Sequence, residues 1–98
     1  PATFEDFWKA CPKRVGRAVS RVKFEAITGD GLTTRTLDRD SGSYVELSLK
    51  ATAEELVTGM RRYTRKQIDP KTMDFTEGGK YLLHPATWLN RGGWMDYE

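Results

Sequence analysis

The chain has 98 residues, room for one domain with a modest core. Hydrophobic residues at 38% and aromatics at 11% are enough to fold it, while 31% charged residues surround that core with an ionic surface. The net charge of +2, one cysteine, one histidine and no long apolar run exclude an internal disulfide, a Cys/His zinc site, a membrane-spanning segment and a secretory leader core, so a soluble, intracellular protein is expected.

Pro1-Ala2 either follows removal of an initiator Met or marks a domain cut from a longer protein. Thr3, with Asp6 three residues on, is a capping box that opens a first helix. Phe4, Phe7, Trp8 and Cys11 recur at i, i+3, i+4, i+7 along it, and Pro12 ends it. A second helix is predicted over 14–28, with Val15, Ala18, Val19, Val22 and Ala26 as its apolar stripe and Arg14, Arg17 and Arg21 opposite. Gly16 weakens its first turn, and Gly29-Asp30-Gly31 breaks the pattern.

Residues 32–50 read as a β-hairpin, because Thr33, Thr34, Thr36, Tyr44 and Val45 favour strands and Val45, Leu47 and Leu49 alternate with polar residues. Asp40-Ser41-Gly42 suits a three-residue loop, which sets Leu37 opposite Val45. Thr52-Ala53-Glu54-Glu55 is a second capping box. It opens a helix whose inner face is Ala53, Leu56, Val57, Met60, Thr64 and Ile68, stopped by Asp69-Pro70. Residues 71–80 read as loop, Tyr81-Leu82-Leu83 as a brief extension, and Pro85–Asn90 as a short helix with proline at its first position. Gly92-Gly93 ends that helix, and Trp94 turns the chain back toward the body. The expected fold is mainly α (α+β): a small single domain, 1–98, of three main helices with an inserted β-hairpin and a short C-terminal helix pinned by Trp88 and Trp94.

The small net charge hides a segregation. Residues 7–24 hold Lys9, Lys13, Arg14, Arg17, Arg21 and Lys23 with no acid, a charge of +6. Residues 58–72 hold Arg61, Arg62, Arg65, Lys66 and Lys71 against Asp69, a charge of +4, and the remainder carries −8. If the two basic segments pack side by side they form one positive face on a nearly neutral protein.

Catalytic motifs are missing. There is no phosphate-binding glycine loop, no dinucleotide fingerprint and no zinc-peptidase helix. Asp38-Arg39-Asp40-Ser41-Gly42 resembles the start of a calcium loop, but Leu49 stands where the bidentate Glu is needed. Cys11 with His84 as nucleophile and base is outweighed by the apolar stripe on which Cys11 lies, and His84 before Pro85 reads as a local cap. No catalytic residue, metal or cofactor is expected. Basic helix faces with aromatics nearby instead suit phosphates and unpaired bases. The candidate phosphate contacts are Lys13, Arg14, Arg17 and Arg21 on the second helix and Arg61, Arg62 and Arg65 on the outer face of the third. Tyr63 and Trp94 are the candidate stacking groups, with Tyr81 and Phe24 as further aromatics, whereas Trp88 reads as core.

The N-terminal run Phe4-Glu5-Asp6-Phe7-Trp8-Lys9-Ala10-Cys11-Pro12-Lys13-Arg14-Val15-Gly16-Arg17 resembles the F-x-x-F-W-x-x-Y-P-[KR]-[KR]-x-G-[KR] opening of a domain at the C-terminal end of many phage and prophage replication proteins. Residues 18–26 and 53–63 are similar to the two helices that follow in that family. His84-Pro85-Ala86-Thr87-Trp88-Leu89-Asn90-Arg91-Gly92-Gly93-Trp94-Met95-Asp96 is similar to its closing P-x-T-W-L-N…W-x-D/E. Two departures stand out: Cys11 replaces the usual Tyr, and the segment 30–50 is longer than the family carries there. Such proteins are replisome organisers and helicase loaders, more distantly similar to the single-strand-binding C-terminal domain of primosomal DnaT proteins. The resemblance implies a C-terminal domain of a longer replication protein in the bacterial host cytoplasm, non-catalytic, with DNA (single strands favoured) or the replicative helicase as its partner. Docking the helicase through the hairpin edge or the basic face is the alternative to DNA binding, and a purely oligomerising role is a third. Oligomeric state and the role of residues 30–50 stay open at this point.

Overall fold

The computed structural model describes residues 1–95; Asp96, the last residue of the closing motif, lies outside the described residues. Four α-helices and one antiparallel hairpin follow in the order α1 (Phe4–Ala10), α2 (Arg17–Thr28), β1 (Leu32–Asp38), β2 (Ser43–Leu49), α3 (Ala53–Lys66) and α4 (Pro85–Asn90), with short 3-10 turns at Thr76–Gly79 and Gly93–Met95. The chain is thus α+β. α1 packs against both α2 and α3, α2 packs against α4, and α3 packs against the Gly93–Met95 turn. No helix among the described residues is long and apolar enough to cross a membrane.

α1 starts as its sequence requires. The Asp6 N–H donates to Thr3 Oγ1 at 3.3 Å, and the Thr3 N–H donates to the Asp6 carboxylate at 2.9 Å. A seven-residue helix cannot sustain itself in water, so its other end needs partners as well. Arg14 donates to the carbonyls of Trp8 (3.2 Å) and Lys9 (2.8 Å), Thr64 Oγ1 donates to that of Ala10 (2.7 Å), and the Cys11 thiol donates to that of Phe7 (3.3 Å).

α2 departs from its expected orientation and start. Gly16, in the left-handed conformation (φ 71°, ψ 50°), precedes the helix, so Lys13 and Arg14 lie in the connection before it. The buried face is Ser20, Phe24 and Ile27, while Val15, Val19 and Val22 of the expected stripe are 44%, 55% and 67% exposed. The reason is the size of one side chain. Phe24 reaches Phe4 and Phe7 with ring centroids 5.4 and 5.3 Å apart, and one buried aromatic ring outweighs a row of valines. The same rotation brings Arg17 and Arg21 to the border of the core instead of opposite it.

The hairpin forms with a register one residue away from expectation. Leu37 faces Tyr44 and Asp38 faces Ser43, so the loop is the four residues Arg39–Gly42. Asp38 builds that loop: its carbonyl accepts the Gly42 N–H at 2.8 Å, and its carboxylate accepts the Asp40 N–H at 3.1 Å and the Ser41 hydroxyl at 3.0 Å. Gly42 is left-handed (φ 73°), as expected. Leu37 and Tyr44 therefore share the outer face, while Leu32, Leu47 and Leu49 reach inward to the core. Thr34 Oγ1 donates to the Asn90 carbonyl at 3.2 Å and ties the hairpin to α4.

α3 carries the expected capping box between Thr52 and Glu55 and buries Leu56, Val57 and Met60. It also buries Gly59, which the stripe did not include. After α3 the stretch read as loop contains a short bridge between Ile68 and Phe75, and Tyr81-Leu82-Leu83 forms no strand. α4 spans Pro85–Asn90 as expected, and its Trp88 and Leu89 reach the centre of the core beside Phe7, Ile27, Leu56 and Met60. Phe7 and Trp88 lie 5.8 Å apart, so the opening and closing motifs of the chain pack on each other.

Candidate nucleic-acid interface

The cations singled out in the sequence fall into three groups, not on one face. Arg17 and Arg21 stand between α2 and α1. Arg17 is ion-paired with Glu5, and its guanidinium lies 5.2 Å from the Phe4 ring centroid and 5.6 Å from that of Trp8. Arg21 lies 5.9 Å from the Phe4 centroid and pairs with Glu25 at 3.4 Å. Both charges are matched locally, and both guanidinium planes cover aromatic surface.

The second group is placed by the packing of α3 on α1. Arg14 is fixed at the C-terminal turn of α1 by its bonds to the Trp8 and Lys9 carbonyls. Thr64 comes from α3, and Arg61 and Arg65 flank it along that helix, both exposed. Arg61 is near enough to Asp6, at the start of α1, to help hold its carboxyl below the usual range, although the larger cause is the hydrogen bonding from Thr3. Beside the C-terminal turn of α1 is an open concavity of ≈ 450 Å³ lined by Lys9, Arg14, Thr64 and Phe75 together with Ala10, Cys11 and Pro12. Lys13 is half-buried beside it in sequence.

Arg62 belongs to a third place. It is half-buried and donates to the Trp94 carbonyl at 3.1 Å, beside a cleft that it lines with Glu54, Glu55 and Gly59. Both predicted stacking groups are engaged in the packing of the fold. Trp94 is 6% exposed, 6.0 Å from Trp88 by ring centroid, and pressed on Gly59. Tyr63 is half-buried against Trp88 at 6.4 Å, and its hydroxyl accepts the Leu83 N–H at 2.9 Å. Both hold the C-terminal segment on α3. Phe24 is core, as is Trp88. Tyr81 is exposed, with Lys80 Nζ 5.5 Å from its ring centroid.

Phe75 also lines the concavity beside α1 and is not among the residues singled out in the sequence. Its signal was its isolation: an aromatic in a polar stretch that no helical or strand stripe accounts for.

Cys11 is a packing residue. Burial pushes its thiol up to about 12, against a smaller lowering by Arg14, so it is protonated at neutral pH. His84 precedes α4 without a side-chain bond to it. No group of three or more His, Cys, Asp or Glu among the described residues could hold a metal ion.

Compared with known proteins, the chain matches no family model, no curated protein and no solved structure.

Proposed function

We propose that this chain is a non-catalytic DNA-binding module of a phage-type replication initiation protein, favouring single strands. The observation that carries the reading is the packing of α3, on which Arg61 and Arg65 are exposed, against α1, whose C-terminal turn holds Lys9 and Arg14 in one concavity with Thr64 of α3. Arg14 is already held by two carbonyls, so part of the entropy of ordering it is spent before a phosphate arrives. The resemblance of the terminal motifs to phage replication proteins points the same way. Their aromatics serve as frame, since Phe7, Trp88 and Trp94 are buried, which leaves the interleaved cations to meet a ligand.

The test is fluorescence anisotropy of labelled single-stranded and duplex oligonucleotides across a salt series. Saturable binding whose log affinity falls linearly with log salt is expected, and Arg61→Gln with Arg65→Gln is expected to flatten the single-strand slope by about 1.4, roughly 0.7 per phosphate contact. No binding at low salt overturns the reading.

A second reading is docking of a protein such as the replicative helicase. It is favoured by the distal hairpin, where Leu37, Tyr44 and Val45 are exposed and neither outer strand edge pairs with another strand among the described residues. Hydrogen-exchange protection by that partner confined to residues 32–50 would support it, and protection over 9–14 and 61–65 by DNA would support the first.

A further inference from the structure

We infer that Phe75 is a stacking platform for one unpaired base, with Lys9 and Arg14 holding the adjoining phosphates; this rests on the DNA-binding reading above. The other aromatics on the α1 and α3 sides of the molecule are committed elsewhere. Phe4, Phe7, Trp8, Phe24, Tyr63, Trp88 and Trp94 all pair with one another within the fold. Phe75 has no aromatic partner among the described residues, is half-buried, and lines a concavity together with Lys9 and Arg14.

The ring is presented from a fixed backbone. Phe75 bridges to Ile68 at the end of α3, the Thr76 N–H donates to the Gln67 carbonyl at 2.7 Å, and the Asp69 N–H donates to the Asp74 carbonyl at 2.8 Å. A base docking there meets a surface already in place, which lowers the ordering cost of binding.

Charge decides on which side of the ring a strand runs. The concavity on the α1 side has no carboxylate in its lining. The far side of Phe75 borders Asp69, Asp74 and Glu77, which repel phosphate. The carbonyls at the end of α1 would also be unwelcoming to an anion, but Arg14 and Thr64 already occupy them as donors. A duplex keeps its bases stacked on each other and gains nothing from such a platform, so Phe75 is a source of single-strand preference.

The experiment measures anisotropy of labelled oligo-dT and of a duplex against the wild type, Phe75→Ala, Phe75→Leu, Phe75→Trp and Lys9→Glu. Phe75→Ala and Phe75→Leu are expected to weaken oligo-dT binding about ten-fold with the salt slope unchanged and the duplex affinity moved less than two-fold. Phe75→Trp is expected to retain or improve oligo-dT binding. If Phe75→Ala does not fold, the leucine and tryptophan variants decide: a mere packing role keeps leucine active and impairs tryptophan. Unchanged oligo-dT affinity in Phe75→Leu while Lys9→Glu weakens it overturns the stacking role and leaves the DNA site standing. A wild type that binds neither oligonucleotide overturns the DNA-binding reading itself.

Discussion

Gly59 lies directly beneath Trp94, so that a β-carbon built on it would stand 2.7 Å from Trp94 Cβ and 3.3 Å from the Trp88 ring. The approach of the C-terminal turn to α3 depends on that missing methyl. Gly59→Ala gains about 1 kcal/mol of intrinsic helix propensity and forces Trp94 outward, an overpacking that costs typically 1–3 kcal/mol. A net fall of several degrees in thermal midpoint is expected by circular dichroism, together with red-shifted tryptophan emission. A raised midpoint would show that the turn relaxes freely.

Much of the architecture was readable because local chemistry and tertiary demand agree. Both capping boxes, Pro85 at the start of α4 and the left-handed Gly42 are set by backbone needs that a few residues satisfy by themselves. The face of α2 was not readable, since periodicity counts apolar positions and Phe24 outweighs them by size. The hairpin register was decided by Asp38, which accepts three donors from the loop and so stretches it to four residues. Gly59 escaped because a glycine has no hydrophobicity to register, although its use is to admit a neighbour. In the candidate site, the cations were legible as residues but their grouping was not, because it depends on α1 lying between α2 and α3.

The turned face of α2 gives a direct contrast. Val22→Glu, at a site 67% exposed, is expected to change stability by less than about 0.5 kcal/mol. Phe24→Ala, which empties the contact with Phe4 and Phe7, is expected to cost about 3–5 kcal/mol. Urea denaturation of the two variants checks both; a severe loss in Val22→Glu would mean that this face is covered in solution.

The Asp6 carboxyl is held below its ordinary 3.8, first by the Thr3 backbone N–H and then by the Thr3 side chain. A carboxyl whose folded value is lowered adds stability above its unfolded value and loses it as pH falls through the folded one. Asp6→Asn is therefore expected to melt below the wild type at pH 7 and to converge with it on acidification past 3.8. Thermal melts of the pair across that range test it, and a gap that persists unchanged at low pH would assign the effect to packing. Glu54, lowered by the Ala2 N–H at 3.0 Å, follows the same sign.

Cys11 runs the opposite way. Its folded value is raised to about 12, so the folded state keeps its proton after the unfolded chain has lost it, and stability falls as pH rises above about 9. Alkaline melts of the wild type are expected to drop more steeply between pH 9 and 11 than those of Cys11→Ala. At pH 8 an aromatic disulfide reagent is expected to label the thiol only as fast as the fold opens, and rapid labelling of the native protein would contradict its burial.

The bond from Thr64 to the Ala10 carbonyl, with that from Ala2 to Glu54, has a consequence for synthesis. α1 is stabilised by groups translated more than fifty residues after it, and Phe7 waits still longer for Trp88. While this stretch of chain emerges from the ribosome, Phe4 and Phe7 can meet Phe24 early, but the face of Phe7 that packs on Trp88 is shielded only when α4 arrives.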